Sequence, residues 1–87
     1  MPLVDDISRI NHIIEASEKA LEFTKDKRRS DLDQDVMLSL ALVRLLEIIG
    51  EASWGISEKL RSKYPEVPWR DMASMRNRLI HGYFDVN

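Results

Sequence analysis

Apolar residues recur every three or four positions along most of this chain, with no sustained stretch of strict alternation between apolar and polar. Between residues 5 and 25, Ile7, Ile10, Ile14 and Leu21 form one stripe, widened by Ile13, Ala20 and Phe23, with Asp5 and Asp6 at its start. That spacing predicts an amphipathic helix, and acids in its first turn suit the positive end of the helix dipole. The charge cluster from Lys25 to Arg29 follows as a solvated connection. Ser30, with Asp33 three residues on, reads as a capping box opening a second, longer helix. The main stripe of that helix is Leu38, Leu42, Leu45, Ile49, Ala52 and Ile56, an unbroken 4-3-4-3-4 repeat. Val36, Leu40 and Val43 make a second stripe, and Met37, Ala41 and Ile48 a third. One stripe suffices to pack against one neighbour. A surface this wide predicts contact with sister helices and with a second subunit, where each buried Leu or Ile contributes roughly 1.5–3 kcal/mol.

Gly50 and Gly55 interrupt this helix at a cost of about 1 kcal/mol each relative to Ala, so close backbone approach or a local kink is expected there. The segment from Lys63 to Pro68 breaks the pattern. Pro68 suits the first position of a third helix running through Trp69, Met72, Met75 and Leu79, and Gly82 falls where a left-handed C-terminal cap is expected. The fold class is therefore all-α, a small antiparallel helical bundle occupying residues 1–87 as one domain.

Chain length sharpens the expectation of a dimer, because 87 residues bury only a modest share of their surface. No apolar run approaches the roughly 20 residues needed to cross a bilayer, and no signal peptide opens the sequence. There is no cysteine, and the two histidines lack metal-ligand spacing. A cytoplasmic protein with no metal and no cofactor is the expectation. Net charge is −2, but it is unevenly spread. Residues 1–56 hold seven Lys/Arg against eleven Asp/Glu, whereas residues 57–87 hold six against four. The basic C-terminal part is permissive for an RNA backbone.

Within that part, Arg76-Asn77-Arg78-Leu79-Ile80-His81-Gly82-Tyr83 gathers a permanent cation, an amide, an imidazole and a phenol into eight residues. Arg keeps its charge at any relevant pH, while an unperturbed His titrates near neutrality. A phosphate clamp and a proton shuttle are what phosphodiester cleavage without a metal requires. Taken alone, His81 also fits a packed or capping histidine and Arg76 an interhelical ion pair. On a straight helix Asn77 and His81 share a face, but Arg76 lies about 140° from His81. Two arrangements reconcile them: a helix that ends near His81, or a site completed across a two-fold axis. Arg44, Glu47 and Glu51 form a polar island on the apolar second helix, either a charge network or a partner that holds Arg76 ready. Trp54, Tyr64 and Trp69 read as core or interface, and His12 as solvated.

The residues so far resemble the HEPN superfamily, and specifically its HepT-like toxin branch. Arg76, four residues, His81, one residue, Tyr83 matches the family's motif; Leu46-Glu47-Ile48-Ile49-Gly50-Glu51-Ala52 resembles its second-helix signature, and Tyr64-Pro65-Glu66-Val67-Pro68-Trp69-Arg70 the linker before its catalytic helix. The three blocks cover about the last half of the chain in the family's order. The resemblance implies a helical homodimer and, for the toxins, a metal-independent endoribonuclease acting on transfer RNA or message. By position, Arg76 would bind and polarise the scissile phosphate, His81 would transfer protons at the RNA 2′-hydroxyl, and Asn77 would orient imidazole or substrate. Tyr83 matches the tyrosine to which a partner nucleotidyltransferase, the MntA-type antitoxin, attaches AMP. A bulky anion there would repel RNA phosphate. Members of the family continue past this block into another helix, whereas this sequence stops at Asn87 without the usual C-terminal helix: either the protein is naturally short or only part of it is present here. The rival reading is a non-catalytic helical partner, or substrate-binding subunit, of a minimal nucleotidyltransferase. A third is a homologue that only dimerises.

Overall fold

The computed structural model describes the backbone of residues 5–85 and the side chains of residues 5–77. Five helices follow one another: α1 (Asp6–Thr24), α2 (Arg29–Gln34), α3 (Val36–Gly55), α4 (Glu58–Lys63) and α5 (Trp69–Asp85). There is no strand among the described residues. The long helix α3 is central and packs against α1 on one side and α5 on the other.

Short polar side chains set the helix starts by accepting hydrogen bonds from otherwise orphaned backbone N–H groups. Asp5 accepts from Ser8 N at 2.8 Å, Asp35 from Leu38 N at 3.0 Å, and Ser57 Oγ from Leu60 N at 3.2 Å. Bonding from the Ser8 backbone, then from its side chain, holds the Asp5 carboxyl below its ordinary range. The expected Ser30–Asp33 capping box does not form, since both residues lie inside α2. Asp31 instead accepts from Arg28 N at 2.8 Å. The expected single helix from residue 30 is also divided, because Asp35 is extended (φ −111°, ψ 94°) and its carboxylate caps the next helix. Between α1 and α2 the chain turns at Asp26, whose φ of 61° is one that Asp tolerates better than most residues.

The later part of the repeat expected on α3 is the core, whereas Leu38 and Leu42 are only partly buried. Leu45, Ile49, Ala52 and Ile56 are buried, Ile56 to 2% exposure. The face of α1 differs from expectation. Ala16 is the buried position there, flanked by Ile13 and Ala20, whereas Ile7, Ile14 and Leu21 are exposed. The face toward α3 thus carries Ile13, Ala16 and Ala20, and Ile7, Ile14 and Leu21 lie off it. Met72 and Met75 of α5 close the other side. Ser53 is fully buried and satisfies its hydroxyl on the Ile49 carbonyl at 2.7 Å.

α1 runs antiparallel to α3, and its first turn is fastened to the far end of that helix. Ser57 donates to Asp6 from both its backbone N (2.9 Å) and its hydroxyl (2.6 Å). The Ser57 hydroxyl bond, and after it the backbone bond, holds the Asp6 carboxyl below its ordinary range. A carboxyl whose pKa is lowered by folding adds stability above its unfolded pKa of about 3.9, and that stability is lost as pH falls through the lower folded value. Asp6→Asn is therefore expected to lower the urea midpoint at neutral pH, with the gap to wild type closing under acid. A gap that stayed constant down to low pH would show that the ionised clasp contributes nothing.

Pro68 stands one residue earlier than expected, with its carbonyl accepting from Met72 N at 3.0 Å. Trp69 Nε1 donates to the Tyr64 carbonyl at 2.9 Å, closing the loop before α5. The cap expected at Gly82 is absent: α5 passes through that position and continues to Asp85. The packed helix outlasts the local preference of a single glycine for a turn.

Candidate active site

Helix α5 reaches the functional motif by way of a close crossing with α3. A Cβ placed on buried Gly50 would lie 2.8 Å from Arg76 N, 3.1 Å from Arg76 Cβ and 3.3 Å from the Met72 carbonyl oxygen. Of the two expectations for Gly50, close backbone approach is the one found. It brings the first residue of the motif against α3, where Arg76 Nε lies 2.9 Å from Glu51 Oε1. The two side chains are 48% and 60% exposed. An ion pair this open contributes no more than about 0.2–1 kcal/mol to stability. Its consequence is orientation: the guanidinium is held by one edge and keeps other N–H groups for a ligand.

The polar island on α3 therefore divides. Glu51 takes Arg76, and Glu47 faces Arg44 at 4.0 Å, the outer limit of an ion pair. Arg44 and Glu51 also border a shallow groove of about 180 Å³ with Arg9, His12, Ile48 and Ala52. His12, expected to be merely solvated, is exposed but belongs to this charged groove. The guanidinium of Arg9 lies over Gly55, so the second glycine admits a side chain where the first admits a backbone.

Asn77 goes elsewhere. It lines a separate groove of about 320 Å³ with Trp54, Arg61, Arg70, Ala73 and Ser74. Arg76 and Asn77 are thus neighbours in sequence on different sides of α5. The side chains of His81 and Tyr83 lie outside the described residues. The backbone of α5 is continuous through both, which puts position 81 one turn beyond Asn77 and about 140° around the helix from Arg76. A helix ending near His81, one of the two expected ways of joining Arg76 to His81, does not occur. Trp54, expected in core or interface, is 74% exposed and outside the core of this chain. Trp69 is partly buried through its bond to Tyr64.

Among the described residues no group of three or more His, Asp or Glu side chains is placed to hold a metal ion. No described helix is long and apolar enough to cross a membrane.

These features define a class: a small all-α bundle whose last helix carries an arginine, anchored by an acid of the central helix, at the head of an Arg-to-His motif. The ribonuclease HepT-like family model matches residues 13–87, and the chain belongs to that family. A "Putative RNase" of Methanocaldococcus jannaschii is 44% identical over 75 residues, 86% of this chain and 69% of the relative. The "Probable ribonuclease HepT" of Thermococcus cleftensis is 45% identical over 78 residues, 90% of this chain and 71% of the relative. A "Putative RNase" of Caldanaerobacter subterraneus is 42% identical over 78 residues, 90% of this chain and 70% of the relative. No solved structure matches the chain.

Proposed function

We propose that the chain is a metal-independent endoribonuclease that works as a homodimer in the cytoplasm, the toxin of a pair restrained by a nucleotidyltransferase that attaches AMP to Tyr83. The observation that carries the reading is the anchoring of Arg76. Glu51 and the Gly50 crossing fix it on one side of α5, about 140° from position 81. A motif so divided within one subunit is completed most simply by two: Arg76 of one copy serving His81 of the other. The exposed apolar residues Val36, Met37 and Leu40 on α3 give the second copy a surface to cover.

In that cleft Arg76 binds two non-bridging oxygens of the scissile phosphate and stabilises the charge that builds there. An imidazole takes the proton from the 2′-hydroxyl as its oxygen attacks phosphorus, and the departing 5′-oxygen receives a proton as its bond to phosphorus breaks. The strand ends left behind are a 2′,3′-cyclic phosphate and a 5′-hydroxyl. Asn77, one turn before position 81, orients the imidazole or the ribose. AMP on Tyr83 adds an anion two residues past His81 and repels the incoming backbone. The relatives' names as ribonucleases support the chemistry.

The test is purified protein with total cellular RNA in the presence of EDTA. Cleavage should persist with chelator, vanish in His81→Ala, and leave 5′-hydroxyl ends that a polynucleotide kinase labels without prior phosphatase. A folded dimer that leaves RNA intact would replace this reading with that of a non-catalytic partner of the nucleotidyltransferase. The placing of Arg76 beside Glu51 and of Asn77 in a groove on another side of α5 favours that alternative.

A further inference from the structure

The groove on the Asn77 side of α5 has a composition that neither the ion-pair site nor the bundle core explains. Its wall holds two guanidinium groups, Arg61 and Arg70, an exposed indole, Trp54, and the small polar residues Ser74 and Asn77, with no carboxylate among them. Neither arginine has an ion-pair partner among the described residues. Arg61 Nε is buried and has no hydrogen-bond acceptor among the described residues. A buried guanidinium N–H left without an acceptor is costly, and an anion or a water in the groove would satisfy it. The indole of Trp54 is 74% exposed although Trp is among the residues most often covered. It stands 14 residues beyond Leu40, about 21 Å along α3 from the apolar patch assigned to the second copy. The dimer surface therefore does not account for it.

From these observations we infer that this groove holds the single-stranded RNA next to the scissile bond, with Arg61 and Arg70 on backbone phosphates and Trp54 stacked on a base. The inference rests on the ribonuclease reading and extends it from the reacting phosphate to the strand. Positively charged grooves with an exposed aromatic face are how single strands are held without regard to sequence, each stacked base being sequence-tolerant. Arg70, Ser74 and Asn77 lie on one face of α5 at helical spacing, and position 81 follows Asn77 by one turn on the same face. The groove thus runs along the helix toward the imidazole position. A strand lying in it runs on toward position 81 and takes Arg76 from across the two-fold axis. Its volume of about 320 Å³ is at the lower end of ligand-sized sites, enough for about one nucleotide at a time.

The probe is a short fluorescent oligoribonucleotide with 2′-O-methyl riboses, which binds but is not cut, so binding is read apart from catalysis. Arg61→Gln and Arg70→Gln should each weaken binding about tenfold and lower the slope of log affinity against log salt by about one. Trp54→Ala should weaken binding by about tenfold with the slope unchanged, since stacking releases no counterions. Arg61→Lys, which keeps the charge, should retain the slope and guards against a trivial folding defect. If wild type binds and cuts RNA while all three variants bind with wild-type affinity and slope, the groove inference fails and the nuclease reading stands. If wild type binds no RNA and cuts none, both fail. Free AMP competing as well as the oligonucleotide would also overturn the inference, because the site would then hold a mononucleotide and not a strand.

Discussion

Gly50→Ala is expected to destabilise the protein by about 1–2 kcal/mol, an unusual result for a glycine-to-alanine change inside a helix. Helix propensity alone predicts a gain of up to about 1 kcal/mol. At this position the new methyl carbon meets the Arg76 backbone nitrogen at 2.8 Å, closer than a Cβ can approach. Backbone cannot swing aside as a side chain can, so α3 and α5 must separate, and overpacking of this kind costs about 1–3 kcal/mol. The separation also carries Arg76 away from Glu51, so ribonuclease activity should fall along with the urea midpoint. Gly55→Ala is the matched control. Its methyl meets only the guanidinium of Arg9, the far end of a flexible side chain, and the loss there should be smaller or reversed. Equal midpoints for the two variants would show that the α3–α5 crossing is not as close as described.

Mixing two inactive variants is expected to restore activity. Arg76→Ala and His81→Ala should each lower the rate of cleavage by about a hundredfold to ten-thousandfold, the range for loss of a phosphate-stabilising donor or a general acid–base group. The Arg76 change should not unfold the bundle, since Arg76 is half exposed and its ion pair is weak. If each site takes its arginine from one subunit and its histidine from the other, a mixed dimer of the two variants rebuilds one intact site and one doubly defective one. Random reassortment of equal amounts makes half of all dimers mixed, so activity should return to about a quarter of the wild-type level under an isologous two-fold arrangement. The measurement is cleavage of a fluorescent RNA after unfolding the variants together and refolding them. A mixture no more active than its components would mean that the site lies within one chain or that no such site exists. Either outcome would reject the shared cleft.

The elements that agreed with the sequence were those set by long, repeated burial. Leu45, Ile49, Ala52 and Ile56 recur at a spacing that only a helix can bury on one side, and the core lies along them. The points of disagreement were those in which neighbours far along the chain compete with local preference. Ala16 and not Ile14 is the buried residue of α1, because the face of α1 that α3 covers is the one carrying Ile13, Ala16 and Ala20. Ser57, which caps α4, is tied to Asp6, 51 residues away, through both of its donors. Gly82 carries no cap in a helix that continues to Asp85.

The candidate site divides along the same line. Its residue types and their order, from Arg76 through Tyr83, were legible in the linear chain, as was the presence of an acid able to hold the arginine. Local spacing also dictated that Arg76 and position 81 cannot face the same way on a regular helix. Which of Glu47 and Glu51 takes the arginine, and that Trp54, Arg61 and Arg70 share a groove with Asn77, was decided by tertiary structure alone. Periodicity fixes the direction of a side chain about its own helix axis, but not which other helix stands opposite or how near it comes. Here that distance was decided at Gly50, where the absence of one methyl group lets two backbones touch.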